Sequence, residues 1–225
     1  MNSPEYILAT NKPWHDALFD HLKKRQEEKW FRVFTPGELF KLVEEVSPRY
    51  IFFPHWSHMI PEAIFAKYSC VIFHMTDLPY GRGGSPLQNL IINGHKETQI
   101  SAIKAQKELD AGPVYLKLPL SLSGSAQEIF ERSSDIILKM IKLIVKNDPI
   151  PEEQQGTPVI FKRRTPEMSD ISRLTGLTEV YDYIRMLDAE GYPHAFMESE
   201  NFKFEFTNAQ TNNEEVIANV RIIKK

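Results

Sequence analysis

The chain has 225 residues, 42% of them hydrophobic and 25% charged, with a formal net charge of −3. That length suits one sizeable α/β domain with a small appendage. The acidic balance argues against a general nucleic-acid binder, which presents a basic face, and no apolar run is long enough to span a bilayer.

Met1-Asn2-Ser3-Pro4-Glu5 shows no basic segment followed by an apolar core, so no signal peptide is expected and a cytoplasmic location is the default. The single Cys70 cannot form an internal disulfide and sits in an apolar run, where core is the commoner role. Residues 5–10 read as a first strand. Asn11-Lys12-Pro13-Trp14 then turns into a helix carrying Ala17, Leu18 and Leu22 on one face. This turn has no glycine, so a dinucleotide fingerprint is absent; Lys12 is either an anion contact or a plain surface lysine. Residues 29–34 form a second strand. Thr35-Pro36-Gly37-Glu38 is a capping box, opening a helix with Leu39, Phe40, Leu42, Val43 and Val46 that Ser47-Pro48 stops. Residues 50–53 are apolar throughout, as in a strand covered on both faces.

The loop Pro54-His55-Trp56-Ser57-His58-Met59-Ile60-Pro61 follows. His55 and His58 lack further well-placed ligands for a metal. The composition suits a wall against a flat aromatic ligand, or equally a packing loop. A short helix (61–67) and a strand (70–73) lead to His74-Met75-Thr76-Asp77-Leu78-Pro79-Tyr80-Gly81-Arg82-Gly83-Gly84-Ser85, behind which a helix opens at Pro86. His74 thus sits where a strand ends and a Gly-rich loop begins, the edge of an α/β sheet where ligands bind. Strands over 98–105 and 114–120 flank a turn, and a second capping box, Ser125-Ala126-Gln127-Glu128, opens a long helix with Ile129, Phe130, Ile136, Ile137, Met140, Ile141 and Ile144 at helical spacing. This alternation implies a mostly parallel, Rossmann-like α/β sheet with helices on both faces over residues 1–150. Residues 148–156 read as a linker, and residues 151–225 as that linker plus a small α+β appendage: a strand over 157–164, a helix over 178–188, and strands at 195–197, 203–206 and 216–223. Lys162-Arg163-Arg164 is an anion contact or a solvated run.

Asp110, in Leu109-Asp110-Ala111-Gly112, is the candidate partner of His74, because two turns at one sheet edge can bring them together. A carboxylate beside an imidazole orients it and can pass protons with it. His-x-Thr-x-Leu-Pro followed by Arg-Gly, then Leu-Asp-x-Gly 36 positions after the His, resembles the folate-dependent formyltransferases. The resemblance is strongest over residues 48–120. Tyr183-Ile184-Arg185-Met186-Leu187-Asp188-Ala189-Glu190-Gly191-Tyr192-Pro193 and Arg163-Arg164-Thr165-Pro166 are similar to the tail of sugar-nucleotide formyltransferases of the pseudaminic-acid type. The family usually carries an Asn two residues before the His, to hold the developing oxyanion; here that position is Ile72, with Thr76 or His74 as substitute donors.

What the resemblance implies is an enzyme that moves a formyl group from N10-formyltetrahydrofolate, without a metal, to a small-molecule amine. A nucleotide-linked amino sugar comes first. An amino acid or carrier-bound aminoacyl group is the alternative, as is a non-catalytic folate or nucleotide binder. A tRNA acceptor ranks last, because the tail is short and the chain acidic, and neither nucleic acid nor membrane is an expected partner; a homodimer is left open. The implied roles are catalysis by His74, Asp110 and Thr76, cofactor binding by Trp56, Ser57, His58, Met59 and Leu109, and acceptor binding by Lys12, Arg82 and Gly83.

Overall fold

Side chains of a strand alternate between its two faces, and the first strands are apolar on both. In the computed structural model, which describes residues 3–212 and 214–225, β1 (Glu5–Ala9), β2 (Lys29–Val33), β3 (Tyr50–Pro54) and β4 (Cys70–His74) run parallel in the order β2-β1-β3-β4. Met1 and Asn2, where the reading of a leader begins, lie outside the described residues. One face of the sheet carries Ile7, Ala9, Val33, Ile51 and Phe53, clustered with Leu39, Val43 and Ile64. On the other face Tyr6, Trp30, Phe52 and Phe73 form a row of stacked rings with centroids 4.7–6.2 Å apart. β5 (Tyr80–Gly83) is a short strand in the stretch expected as loop. β6 (Glu97–Lys104) pairs antiparallel with β4, and β7 (Val114–Ser121) follows at the sheet edge. The result is a mixed, mostly parallel sheet with accompanying helices.

The helices begin where the capping chemistry places them. α1 (Asp16–Lys23) buries Leu18 and Leu22, four residues apart on one face, but Ala17 lies off that stripe and is exposed. α2 (Pro36–Glu45) buries Leu39 and Val43, while Phe40 is exposed for the same reason. Thr35 Oγ1 accepts the Glu38 N–H at 3.2 Å, and Glu38 reaches back to the N–H of Phe34 at 2.7 Å, one residue before the cap. α3 (Glu62–Phe65) is a single turn. α4 (Pro86–Ile92) starts behind Ser85, whose own backbone is left-handed (φ 51°) and whose hydroxyl accepts the Arg164 N–H instead of capping the helix. In α5 (Ala126–Asn147) the box closes on both sides: Ser125 N–H to Glu128 Oε2 at 2.8 Å, and Glu128 N–H to Ser125 Oγ at 3.3 Å.

Two compact units emerge, each drawn from several stretches of chain. The first, residues 1–82, 98–120 and 131–160, holds the mixed sheet. The second comprises residues 83–97, 121–130 and 161–225. The short strand β8 (Val159–Phe161) pairs with β5. In the second unit β9 (Ala195–Glu198), β10 (Phe202–Thr211) and β11 (Val216–Lys224) form an antiparallel sheet, ordered β11-β10-β9, against which α6 (Leu177–Arg185) packs. Arg185 is buried, donating to Asp182 Oδ1 at 2.6 Å and to the carbonyls of Leu122 and Gly124, a set that satisfies the charge it buries. No described helix is long and apolar enough to cross a membrane.

Candidate active site

The carboxyl ends of β3 and β4 and the turn after β6 meet in the first unit. His74 closes β4 opposite Ser101 of β6, whose hydroxyl donates to Thr76 O at 2.7 Å and accepts the Leu78 N–H, tying down the chain as it leaves the strand. Gly81 takes φ 78°, a left-handed conformation that glycine adopts without strain, and this aims its carbonyl at the imidazole: His74 Nε2 donates to it at 2.7 Å. A carbonyl only accepts, so Nε2 keeps a proton and Nδ1 is the nitrogen left for proton exchange. Nδ1 faces Asp110 Oδ2 at 3.6 Å, with both side chains only 8% exposed. That distance is too long for a hydrogen bond, and such pairs often tighten only with reactants bound.

Asp110 lies in the wall of a cavity of about 100 Å³. Phe53, Trp56, Ile60 and Ile72 make its apolar side; the turn 104–110 and Gly112 make its polar side. Trp56, His58, Met59 and Leu109, all expected to bind cofactor, line this cavity; Ser57 is exposed and is not part of the lining. Trp56 is set edge-on to Phe53 (5.8 Å) and to His58 (5.1 Å). An apolar slot with one indole wall, facing main-chain polar groups and a carboxylate, fits a flat heteroaromatic ring such as a pterin. Ile72, where the family Asn is expected, also faces this cavity. Thr76 does not: it is wholly buried, with its hydroxyl directed to Gly81 O at 3.4 Å. Among the described residues no group of three or more His, Cys, Asp or Glu could hold a metal.

The expected acceptor-side residues make separate contacts. Arg82 donates to Gln154 and approaches Glu108 at 3.5 Å. Lys12 stands over the Trp14 ring at 5.4 Å, and Gly83 belongs to the second unit. There Gly84 is needed for close approach: a Cβ on it would lie 2.6 Å from Arg163 Cβ.

Gly112, the glycine of the Leu-Asp-x-Gly motif, packs where a Cβ would fall 1.8 Å from Lys104 O. Two features carried no sequence signal. One is Gln154. The other is a chain of neutral rings behind the cavity loop. His15 Nε2 lies 2.7 Å from His55 Nδ1, His15 Nδ1 lies 2.9 Å from Ser134 Oγ, and His55 Nε2 approaches Met75 Sδ at 2.9 Å. Burial, reinforced by the neighbouring His55, Arg32 and Lys12, pushes His15 down to about 2; burial and Lys12 push His55 down to about 3. Each ring therefore carries one proton at neutral pH, and His55, at φ 48°, turns away from the cavity that its neighbour Trp56 lines. Cys70, buried and pushed up to about 12, is an inert core thiol.

A structure described as methionyl-tRNA formyltransferase from Clostridium thermocellum is 46% identical to this chain, covers 99% of it and 100% of itself, and superposes with a TM-score of 0.95. The chain belongs to the folate-dependent formyltransferase family. The methionyl-tRNA formyltransferase C-terminal domain family matches residues 166–223 of this chain. Curated relatives named methionyl-tRNA formyltransferase include that of Malacoplasma penetrans (25% identical over 213 residues, 88% of this chain and 67% of the relative). For that of Caldanaerobacter subterraneus the figures are 27% over 188 residues, 75% and 60%. The chain thus spans about two thirds or less of their length. At lower identity the fold is shared with HypX from Aquifex aeolicus, solved in complex with tetrahydrofolic acid (18%, TM-score 0.77, 94% of this chain and 38% of that one). It is also shared with a sugar N-formyltransferase from a Shewanella species (13%, TM-score 0.71, 95% and 100%).

Proposed function

We propose that this chain transfers a formyl group from N10-formyltetrahydrofolate to the amine of a carrier-bound aminoacyl group. The observation that carries the chemistry is the His74–Asp110 pair, with Asp110 in the wall of an apolar cavity. The folate supplies the activated formyl group. The slot between Trp56, Ile60 and Ile72 and the turn 104–110 orients the folate ring and keeps water from its apolar side. The attacking amine must lose a proton. Asp110 relays it at the cavity wall, and His74, with Nε2–H fixed on Gly81 O, holds that proton at Nδ1 and returns it to the nitrogen that gives up the formyl group. Thr76, buried on the same carbonyl, steadies Gly81 rather than a reactant, and the Nε2–H of His74 is spent there too, so His74 can donate to a developing oxyanion only from Nδ1 after it has taken the proton.

The preference for an aminoacyl amine rests on the 46% identity over full length to a structure described as methionyl-tRNA formyltransferase, and on relatives of the same name. This reverses the ranking drawn from net charge, because overall charge says little about one local binding face. The amino-sugar nucleotide stands as the second reading. It draws on segments 163–166 and 183–193, which are similar to the tail of sugar-nucleotide formyltransferases.

The test is formyl transfer from N10-formyltetrahydrofolate to methionyl-tRNA and to UDP- and dTDP-linked amino sugars, followed by mass spectrometry of the formylated amine. Transfer to methionyl-tRNA alone supports the proposal, and transfer to a sugar nucleotide alone supports the second reading. Folate binding without transfer to any of them points to a non-catalytic binder. Failure to bind folate would defeat all three.

A further inference from the structure

Residues 148–156 read as a plain connector, yet Gln154 is the one residue between 152 and 160 that is not exposed. Its Nε2 donates to two main-chain carbonyls at once, Asp110 O at 2.8 Å and Gly112 O at 2.9 Å. Its Oε1 accepts from Nε and Nη2 of Arg82 at 3.1 and 2.8 Å. Only this orientation of the amide works: turned over, it would set oxygen against two carbonyl oxygens and its NH2 against a guanidinium. The connector itself is anchored, because Val114 and Glu152 exchange main-chain hydrogen bonds at 2.7 and 2.9 Å.

The turn that Gln154 grips is one that needs holding. Asp110 sits at φ 51°, a left-handed conformation uncommon for a residue with a side chain and sustained only by its surroundings. Gly112 is pressed so closely on Lys104 O that no Cβ fits. One amide bonded to the carbonyls on either side of Ala111 fixes both peptide planes, and with them the direction in which the Asp110 carboxylate leaves the backbone.

We propose that Gln154 is a positioning residue that sets the Asp110 carboxylate opposite His74 and joins that turn to Arg82 on the segment after β4. Its catalytic effect rests on the formyl-transfer reading; its positioning of Asp110 does not. Misplacing a reacting group by about 1 Å can cost on the order of 100-fold in rate, so the loss expected from Gln154→Ala is about 10- to 100-fold in kcat.

The test uses the full chain with Gln154→Ala and the isosteric Gln154→Glu, whose carboxylate cannot donate to the two carbonyls. Three quantities are measured: kcat with methionyl-tRNA and N10-formyltetrahydrofolate; folate Kd by tryptophan fluorescence; and the His74 imidazole 1H–13C cross-peak, assigned with His74→Gln. The expected result is a lowered kcat with folate Kd within about threefold, and a His74 cross-peak displaced in the direction that Asp110→Asn displaces it. In the Asp110→Asn background, Gln154→Ala should add less than about twofold, because residues acting as a unit are non-additive. A kcat within threefold of wild type, a full additive loss, or an unmoved cross-peak overturns the proposal. If the wild-type chain does not formylate methionyl-tRNA, the acceptor reading fails, and the cross-peak alone decides: displaced, Gln154 positions Asp110; unmoved, it does not.

Discussion

Replacing His15 by Asn should flatten the pH dependence of stability between pH 7.5 and 5. His15 is wholly buried among Ser134, His55 and Trp14, and its folded-state value is about 2 against 6.5 in the unfolded chain. Between those values the unfolded chain binds a proton that the folded one refuses, so stability falls as pH drops. The contribution is intact above about 6.5 and is lost progressively below it, down to about 2. Each pH unit is worth about 1.4 kcal/mol, so at pH 5 the ring costs about 2 kcal/mol of folding stability. His55, held near 3, acts in the same direction from the same starting point. The carboxylates with lowered values, Asp148 and Glu205 among them, act below about pH 4.5 and stay outside this window. Urea unfolding of wild type and His15→Asn at pH 7.5, 6.5, 5.5 and 5.0 reads the His15 contribution, together with any change at the directly bonded His55, as the difference between the two proteins. That difference should change by about 2 kcal/mol across the series, whatever the variant's stability at pH 7.5. A constant difference would refute the neutral, buried assignment.

Three further outcomes are expected. His74→Ala and Asp110→Ala should each remove most formyl transfer while the chain stays folded, with the double variant little worse than either single one, checked by turnover beside thermal midpoints; folded variants with near-normal rates would defeat the catalytic role. Ile72→Asn places a donor on the cavity wall and should raise kcat, by up to the ~10²-fold that one oxyanion donor is worth, whereas Thr76→Val should change kcat less than about threefold; the reverse pattern would restore Thr76 as the substitute donor. Gly112→Ala forces Lys104 O or the Asp110 turn to move and should destabilise the chain by about 1–3 kcal/mol in chemical unfolding, with a lower kcat; an unchanged unfolding midpoint would contradict the close packing.

Local chemistry made much of this protein legible. Short apolar runs in 5–10, 29–34 and 50–53 and two capping boxes marked the strands and the starts of α2 and α5, because those signals act over a few residues and survive in any context. The pairing of motifs around His74 and Asp110, 36 positions apart, named the family through resemblance, and the same loop was legible as a strand end. What local pattern misjudged were positions beside a helical stripe, Ala17 and Phe40, and a Gly-rich stretch that became β5 because a partner strand from residues 159–161 lay within reach.

The tertiary structure decided what each polar group does. Gly81 bends to give His74 a carbonyl, which selects the tautomer; no spacing in the sequence encodes that bond. His55, read with the loop around Trp56, turns instead to His15 and Met75, and Thr76 spends its hydroxyl on Gly81, because a buried polar atom takes whichever partner the packing brings within about 3 Å. Gln154 lies 44 positions beyond Asp110 in a stretch with the composition of a linker, and only the folded chain sets its amide across the Asp110 turn. Periodicity and capping are one-dimensional and can be read from the sequence; hydrogen-bond partners far apart in the chain are set by where the backbone leads them.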